Sequence, residues 1–444
     1  MTDDDPLARA RAFAARGEDE QAKHAYVYVL RFDPTHFAAL NELGALAAAS
    51  GHRSAARTAW QQAVLHHPGN PLGRVNLGTL LLEDGDLTGA TTQFQAALAA
   101  DPAFPEAHQG LARVLTELGD PAAEDHWRQG FTGHAVVTKP YRGSGPGVPL
   151  LLLVSARGGN IPVRHWINDR TFAVTAIHAG YADPAGPLPP HALVVNAIGD
   201  ADRCGAALDR AEALLRHTTA PVINPPARVR VTGRVQNAKR LGMVPGVVTP
   251  RIDVLAQADV MAAPDLRFPL LLRAPGFHTG QHFHYVADRA GLAAAAAMPG
   301  DQVLAIQYLD ARGADDMVRK YRVMFIDGVV YPWHLAVSAD WKVHYVTADM
   351  ATNAGFRAEE ARFLTDMAAV LGEPAMAALA GIAATLGLDY AGADFALAPD
   401  GSVLLFEANA TMVVAPPDPD PMWDYRRPAA DAVLAAVRRM LSRR

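Results

Sequence analysis

Two architectures share this chain: an all-α helical repeat array in the first third and α/β domains in the rest. Three observations predict it. A 34-residue period runs from residue 6 to about 131, apolar strand-like runs alternate with polar loops from about residue 149, and an Asp-Gly pair joins two β-prone runs near the C-terminus. With 444 residues, half of them apolar, the chain holds enough material for two or three domains with substantial cores.

The period is carried by several residue types at once. Asp33-Pro34, His67-Pro68 and Asp101-Pro102 stand 34 apart, as do Leu43-Gly44 and Leu77-Gly78, with Leu111-Ala112 in phase. Gly17, Gly51, Gly85 and Gly119 keep the same step, as do Tyr26, Trp60 and Phe94, with Trp127 one position early. Proline ends each second helix, glycine lets the intervening turn tighten, and apolar positions at helical spacing bury between neighbours. The pattern resembles the tetratricopeptide repeat (TPR), with the stretch from Ala122 to Gly130 as its terminal cap. That resemblance implies a concave face holding a peptide or partner protein; a rigid arm or an oligomer contact is the alternative.

Gly133 to Val148, rich in Gly and Pro without periodicity, reads as a linker. Three apolar strands follow in PLLLLVSARGGNIPV, TFAVTAIHAGYAD and HALVVNAIGDAD, then a helix over Arg203 to His217 and the strand APVINPP. Polar residues gather at the strand C-termini, where open α/β sheets bind ligands. Gly158-Gly159-Asn160 suits a turn as well as a ligand loop, and Asn224 before Pro225-Pro226 is equally ambiguous.

The final hairpin is the most informative stretch. If Asp400-Gly401 is a two-residue turn, Pro399 faces Ser402 and Asp394 stands opposite Glu407, with Asn409 on the same face. Facing carboxylates repel one another. They are either solvated at a sheet edge or neutralised, and two carboxylates with an amide oxygen suit Mg²⁺. Apolar neighbours on both faces, Phe395-Ala396-Leu397 and Val403-Leu404-Leu405-Phe406, argue for a covered strand.

From about residue 150 to 440 the order of motifs resembles the ATP-grasp superfamily of carboxylate-amine ligases, similar to glutathione synthetase and ribosomal-protein glutamate ligase. PVINPPARVRVTGRVQNAKRLGMVPGVVTPRI looks like its entry segment, FPLLLRAPGFHTGQH like the strand and Gly-rich loop over the phosphates, and LAIQYLD like the adenine hinge. VRKYRVMFIDGVVYP is similar to the strand pair with an arginine facing phosphoryl transfer, and the hairpin to the metal-binding pair. The resemblance implies a TPR solenoid over residues 1–132, a linker over 133–148, an α/β pre-ATP-grasp domain over 149–240 and an α+β ATP-grasp domain over 241–444. It also implies ATP and Mg²⁺ as cofactors. Asp394, Glu407 and Asn409 would hold the metal, and Arg322 would stabilise the transferring phosphoryl group. Arg234, Arg273, His278, Gly280, Gln307 and Leu309 would contact the nucleotide, with Gly276 and His282 in the same loop. Arg234 and Arg273 stand where members of the superfamily usually carry lysine, and Gln307 replaces a common acid; arginine keeps the charge but prefers planar, two-pronged contacts. The implied activity is ligation of a small-molecule or peptide carboxylate to an amine through an acyl phosphate, with release of ADP and phosphate. Phosphotransfer on the same fold, or a TPR scaffold beside a degenerate ATP-grasp domain, are the alternatives.

Composition bounds the rest. A net charge of −6 and a pI near 6.3 give no reason to expect nucleic acid. No apolar run is expected to approach membrane length, Leu150 to Val154 being the longest aliphatic block, so no membrane partner is expected. The opening MTDDDPLARARAFAARG is unlike an export signal, and the single cysteine, Cys204, suits a reducing cytoplasm. His278, His282 and His284 lack nearby cysteine or carboxylate ligands for a transition metal. His334, Trp341 and His344 are expected to line a substrate pocket. Neither a Gly-x-Ser-x-Gly elbow nor a Walker sequence is present.

Overall fold

The computed structural model describes residues 5–276, 282–343 and 348–442. The chain divides into two compact units, the first running to Gly147 and including Ala173–Asp183, the second comprising Val148–Phe172 and Pro184 onward.

The first unit is built from helix pairs. They are α1 (Pro6–Arg16) and α2 (Asp19–Phe32), α3 (Phe37–Ala49) and α4 (Arg53–His66), α5 (Pro71–Glu83) and α6 (Leu87–Ala100), α7 (Pro105–Leu118) and α8 (Ala123–Phe131). Each pair turns at one of the periodic glycines, all with φ between 70° and 81°, a conformation that glycine alone adopts without strain. The three periodic prolines follow α2, α4 and α6 by two residues. The second glycine series has a separate cause. A Cβ on Gly78 would meet the Phe94 ring at 2.9 Å, and one on Gly44 would meet the Trp60 ring, so the Leu-Gly step in α3 and α5 leaves room for the aromatic of the helix that follows. Tyr26, Trp60, Phe94 and Trp127 are all buried. Trp60 Nε1 donates to the Asn41 carbonyl at 3.1 Å, whereas Trp127, one position out of phase, donates to Thr116 Oγ1. The segment read as a linker carries β1 (Val136–Thr138), which pairs antiparallel with β3 (Phe172–His178). Its consecutive valines suit a ladder, and Lys139 continues it by donating to the Val174 carbonyl.

In the second unit, β2 (Val148–Val154), β4 (Leu193–Asn196) and β5 (Val222–Ile223) run parallel. Helices α9 (Gly205–Leu214), α10 (Pro226–Arg230) and α11 (Arg234–Leu241) accompany them. Two further sheets follow. One has the order β7 (Ile252–Ala256), β10 (Gln302–Gln307), β8 (Leu270–Arg273), β9 (Phe283–Val286), all antiparallel. The other has the order β12 (Val329–Ser338), β11 (Val318–Ile326), β13 (Tyr390–Leu397), β14 (Val403–Asn409), β6 (Val247–Val248), antiparallel except for β6 beside β14. Helices α12 (Ala354–Thr365), α13 (Met367–Leu386) and α14 (Arg427–Leu441) cover this second sheet. Its core is aromatic, with Tyr390, Phe325, Phe363 and Phe395 fully buried. Asn224 settles into a structural role: it accepts from the Tyr390 amide at 2.9 Å and donates to the Tyr390 carbonyl at 2.8 Å, while Asn196 donates to the Asn224 carbonyl. This buried amide network fixes the end of β5 to the start of β13.

Two expectations are corrected here. Helix α13 is 20 residues long with a mean hydropathy of 1.6, enough by length and composition to cross a membrane. It is broken at Gly372 (φ 78°), ahead of Pro374, and buries Leu371, Ala375, Leu379 and Ile382. The hairpin turn is the second. Ala398 and Ser402 bracket a three-residue loop, with Gly401 at φ 84° and its amide donating to the Ala398 carbonyl. A three-residue loop with glycine in the left-handed region suits the twist of the strands where Pro399 cannot donate to the ladder. Leu397 therefore pairs with Val403 and Phe395 with Leu405, one residue off the two-residue register. A bulge between Asp394 and Phe395 shifts the count back, so that Asp394 does stand opposite Glu407 and Gly392 opposite Asn409.

Candidate functional site

A single rung crosses four strands of the second sheet: His334 on β12 pairs with Arg322 on β11, Arg322 with Asp394 on β13, and Asp394 with Glu407 on β14. The facing carboxylates are neutralised by side chains of the same unit. Arg322 Nε and Nη2 donate to the two Asp394 oxygens at 2.5 and 2.8 Å, and Lys320 Nζ stands 3.3 Å from Oδ2. Arg234, the first residue of α11, donates to Glu407 Oε1 at 2.8 Å, and Asn409 Nδ2 donates to the same oxygen at 2.8 Å. Asn409 thus turns its N–H toward Glu407, while its oxygen accepts from the Thr411 amide and hydroxyl.

Burial drives the Asp394 carboxyl up, but Arg322 and Lys320 outweigh it and hold the group well below the usual carboxylate range. Glu407 behaves alike: burial raises it, and Arg234 with Arg273 bring it below its ordinary value. His334 is driven well below its ordinary value by burial and then by Arg322, so it is neutral at physiological pH. Arg273, on β8, lies over the Phe283 ring at 5.4 Å, and burial, reinforced by Arg234, pushes it down to about 10.

A cleft of about 560 Å³ opens on this rung. Leu271, Ile306, Leu309, Val318 and Phe406 give it apolar walls, and Phe283, Tyr308 and Trp341 give it aromatic ones. Among the described residues, Arg234, Arg273, Lys320, Arg322 and Lys342 supply five cations against two carboxylates in this cleft, an excess of three positive charges. A second cavity of about 270 Å³ shares Arg234, Arg273, Glu407, Asn409 and Thr411, so the Arg234–Glu407 pair stands where the two meet. Apolar walls beside concentrated positive charge suit a planar ring carrying several phosphates.

The structure brings Arg322, Arg234, Arg273, Gln307, Leu309, Asp394, Glu407 and Asn409 to one cleft. The Gln307 oxygen accepts from the Arg251 amide at 3.1 Å. Gly159 and Asn160 line the cleft as well, in a turn tied by Asn160 to both backbone groups of Ser155. His278, Gly280 and His344 lie outside the described residues. His282 stands just before β9 and His284 is exposed on it; among the described residues no group of three His, Cys, Asp or Glu side chains could hold a metal ion. The expected pocket role of His334 is corrected: it is buried and absent from the cleft lining, which Trp341 does reach. Lys320, Lys342, Phe283 and Tyr308 went unread. Lys320 was legible by period two, since in Arg319-Lys320-Tyr321-Arg322 it shares a face with Arg322, while Arg319 pairs with Asp315 and Glu359.

Residues 81–123 match the tetratricopeptide repeat family model. No curated protein matches the chain. Among solved structures it is similar to MamA (41 to the end) from Desulfovibrio magneticus RS-1, at 24% identity over 28% of this chain and 73% of that one, with a TM-score of 0.26. It is also similar to a tetratricopeptide repeat protein from Parabacteroides merdae ATCC 43184, at 20% identity over 28% and 51% of the chains, TM-score 0.27. A thermophilic TPR protein from Thermus thermophilus matches at 20% identity over 28% and 71%, TM-score 0.26. The match lies within the helical repeat region of α1 to α8, and a mixed α/β region follows it.

Proposed function

We propose that the second unit binds a nucleoside triphosphate in the 560 Å³ cleft and uses it to activate a carboxylate for attack by an amine, while the repeats hold the protein or peptide acted upon. The observation that carries this reading is the Arg322–Asp394–Glu407 rung facing a cleft with apolar walls and excess positive charge. Arg234, Arg273 and Lys320 would bind phosphate oxygens, and Leu309 and Phe406 would flank the base. Arg322 would hold the phosphoryl group and the acyl phosphate it forms, its fork suiting two oxygens at once. Catalysis here is positioning and charge neutralisation, which need no nucleophile from the protein.

The donor set suits Mg²⁺ at the rung: two hard carboxylates side by side, with no hydrogen bond to Glu407 Oε2 among the described residues. A bound Mg²⁺ would neutralise phosphate charge there.

Two observations favour a second reading, a TPR scaffold whose second unit does not turn over. Both carboxylates already have internal cations, and arginines stand at the two nucleotide-facing positions. Calorimetry of the full chain with ATP and MgCl₂ separates the two readings. Binding, together with ADP release that Glu407→Gln abolishes, is the outcome for a ligase, and hydroxylamine should then trap the acyl phosphate. No heat of binding would leave the scaffold reading.

A further inference from the structure

The Arg234–Glu407 pair stands at the meeting of two cavities, and its arginine has two anions to choose between. Arg234 Nη2 lies 2.8 Å from Glu407 Oε1, with Asn409 donating to the same oxygen, and both residues of the ion pair are partly buried. Asp394 is closed more firmly, by both prongs of Arg322 and by Lys320. A divalent cation arriving alone would meet, over the two cavities, five cations against the four carboxylates Asp200, Asp202, Asp394 and Glu407 among the described residues, and would have to displace Arg234 from a low-dielectric pair. A triphosphate reverses both terms. It more than offsets the positive excess, and it offers Arg234 a second anion with matching two-pronged geometry.

We propose that Arg234 is a latch on the cation site: it occupies Glu407 Oε1 in the free protein, leaving a single oxygen of that carboxylate for a cation, and moves to phosphate when nucleotide binds, so that divalent cation binding follows nucleotide binding. Arg234 is the residue suited to this exchange because it meets Glu407 through a single nitrogen, whereas Arg322 is held by both prongs. It also starts α11, where its backbone N–H donates to Asp202 Oδ2 at 2.9 Å, so the main chain stays anchored while the side chain swings. The latch rests on the nucleotide-binding reading given above and adds an order of events to it.

The test uses Mn²⁺ as an electron-paramagnetic probe with the full-length chain, and nucleotide binding measured separately in EDTA through Trp341 and the other tryptophans. Wild-type protein without nucleotide should bind Mn²⁺ no better than Glu407→Gln. Arg234→Gln should bind Mn²⁺ at least tenfold more tightly than wild type without any nucleotide, and Arg234→Gln/Glu407→Gln should lose that gain. A thermal midpoint within a few degrees of wild type shows that Arg234→Gln is folded, and Arg234→Met provides a second neutral substitution of similar length. Wild-type protein that binds Mn²⁺ alone as tightly as Arg234→Gln would overturn the latch, and nucleotide binding in the same samples would show that the parent reading survives. No nucleotide binding in EDTA and none with Mn²⁺ would overturn both.

Discussion

The two units solve the problem of burying aromatic side chains in opposite ways. In the repeats, Trp60 and Phe94 fill space left by Gly44 and Gly78, and the ion pairs lie at the surface, as between Arg53, Glu83 and Asp84. In the second unit the aromatic core is interleaved with buried charge. Glu360, wholly buried, accepts from Arg426 Nη2 at 2.6 Å and from the Tyr425 hydroxyl at 2.5 Å, and Arg426 lies 3.9 Å from the Trp423 ring centroid. Repetition spreads stability over many similar contacts, each replaceable by a neighbour of its kind. A one-off polar network concentrates it, because each member leaves an unpaired charge when removed.

The largest expected effects test this contrast directly. Phe94→Ala should destabilise the repeats by about 3–5 kcal/mol through the cavity it leaves. Arg426→Met should cost the second unit a similar amount, about 3–5 kcal/mol, by stranding the Glu360 carboxylate. Rescue separates the two. Adding Glu360→Leu to Arg426→Met should recover most of the loss, since the buried charge goes with its partner, and denaturant melts of both variants measure it. If the double variant is no more stable than the single, the network is not the electrostatic unit described. Burial raises the Glu360 carboxyl against the pull of Arg426 and Tyr425, so this site stays finely balanced even when intact.

A smaller effect separates the units by pH. His178 packs on Phe131 with ring centroids 4.3 Å apart, and burial, helped by Lys139, pushes it down to about 4. The folded state therefore resists a proton that the unfolded chain accepts near 6.5. Stability is full above about pH 6.5 and is lost as pH falls toward about 4, by on the order of 2 kcal/mol once partial exposure is allowed for. Thermal midpoints of the full chain at about pH 7 and about pH 4.5 should show the first unit weakening, and His178→Gln should flatten that dependence. An unchanged slope in the variant would assign the titration elsewhere, with His334 in the second unit the next group to examine.

Much of this was legible from residue order, for reasons that differ by region. The repeats announced themselves because each unit states its turn, stop and packing residue again. The strand β1 did not, because three residues between Gly- and Pro-rich flanks carry too little pattern. The Asp394–Glu407 pairing was reached by a route with two departures that offset each other: the loop holds three residues instead of two, and the bulge before Phe395 restores the count. Neither bulge nor loop length can be read from an Asp-Gly pair alone. The cations that neutralise the carboxylates were half visible. Arg322 and Arg234 were read as ligand contacts, while their pairing with Asp394 and Glu407 depends on the fold bringing together residues 72 and 173 positions apart.

The smallest prediction probes whether the bulge insulates the rung from the turn. Gly401 sits at φ 84°, where an alanine is strained, so Gly401→Ala should cost about 1 kcal/mol. The strain enters between Ala398 and Ser402, and the ladder from Leu397–Val403 to Phe395–Leu405 shares its register with the loop. Beyond the bulge, Asp394 and Glu407 keep their own count and are held from the other side by Arg322, Lys320 and Arg234. Amide exchange should therefore quicken from Ser402 to Leu404 in the variant and stay unchanged at Glu407 and Ala408. Equal loss of protection along all of β14 would mean that the turn and the rung move as one element. The site's register would then depend on the loop, and the ion pairs around Asp394 and Glu407 would be its consequence and not its cause.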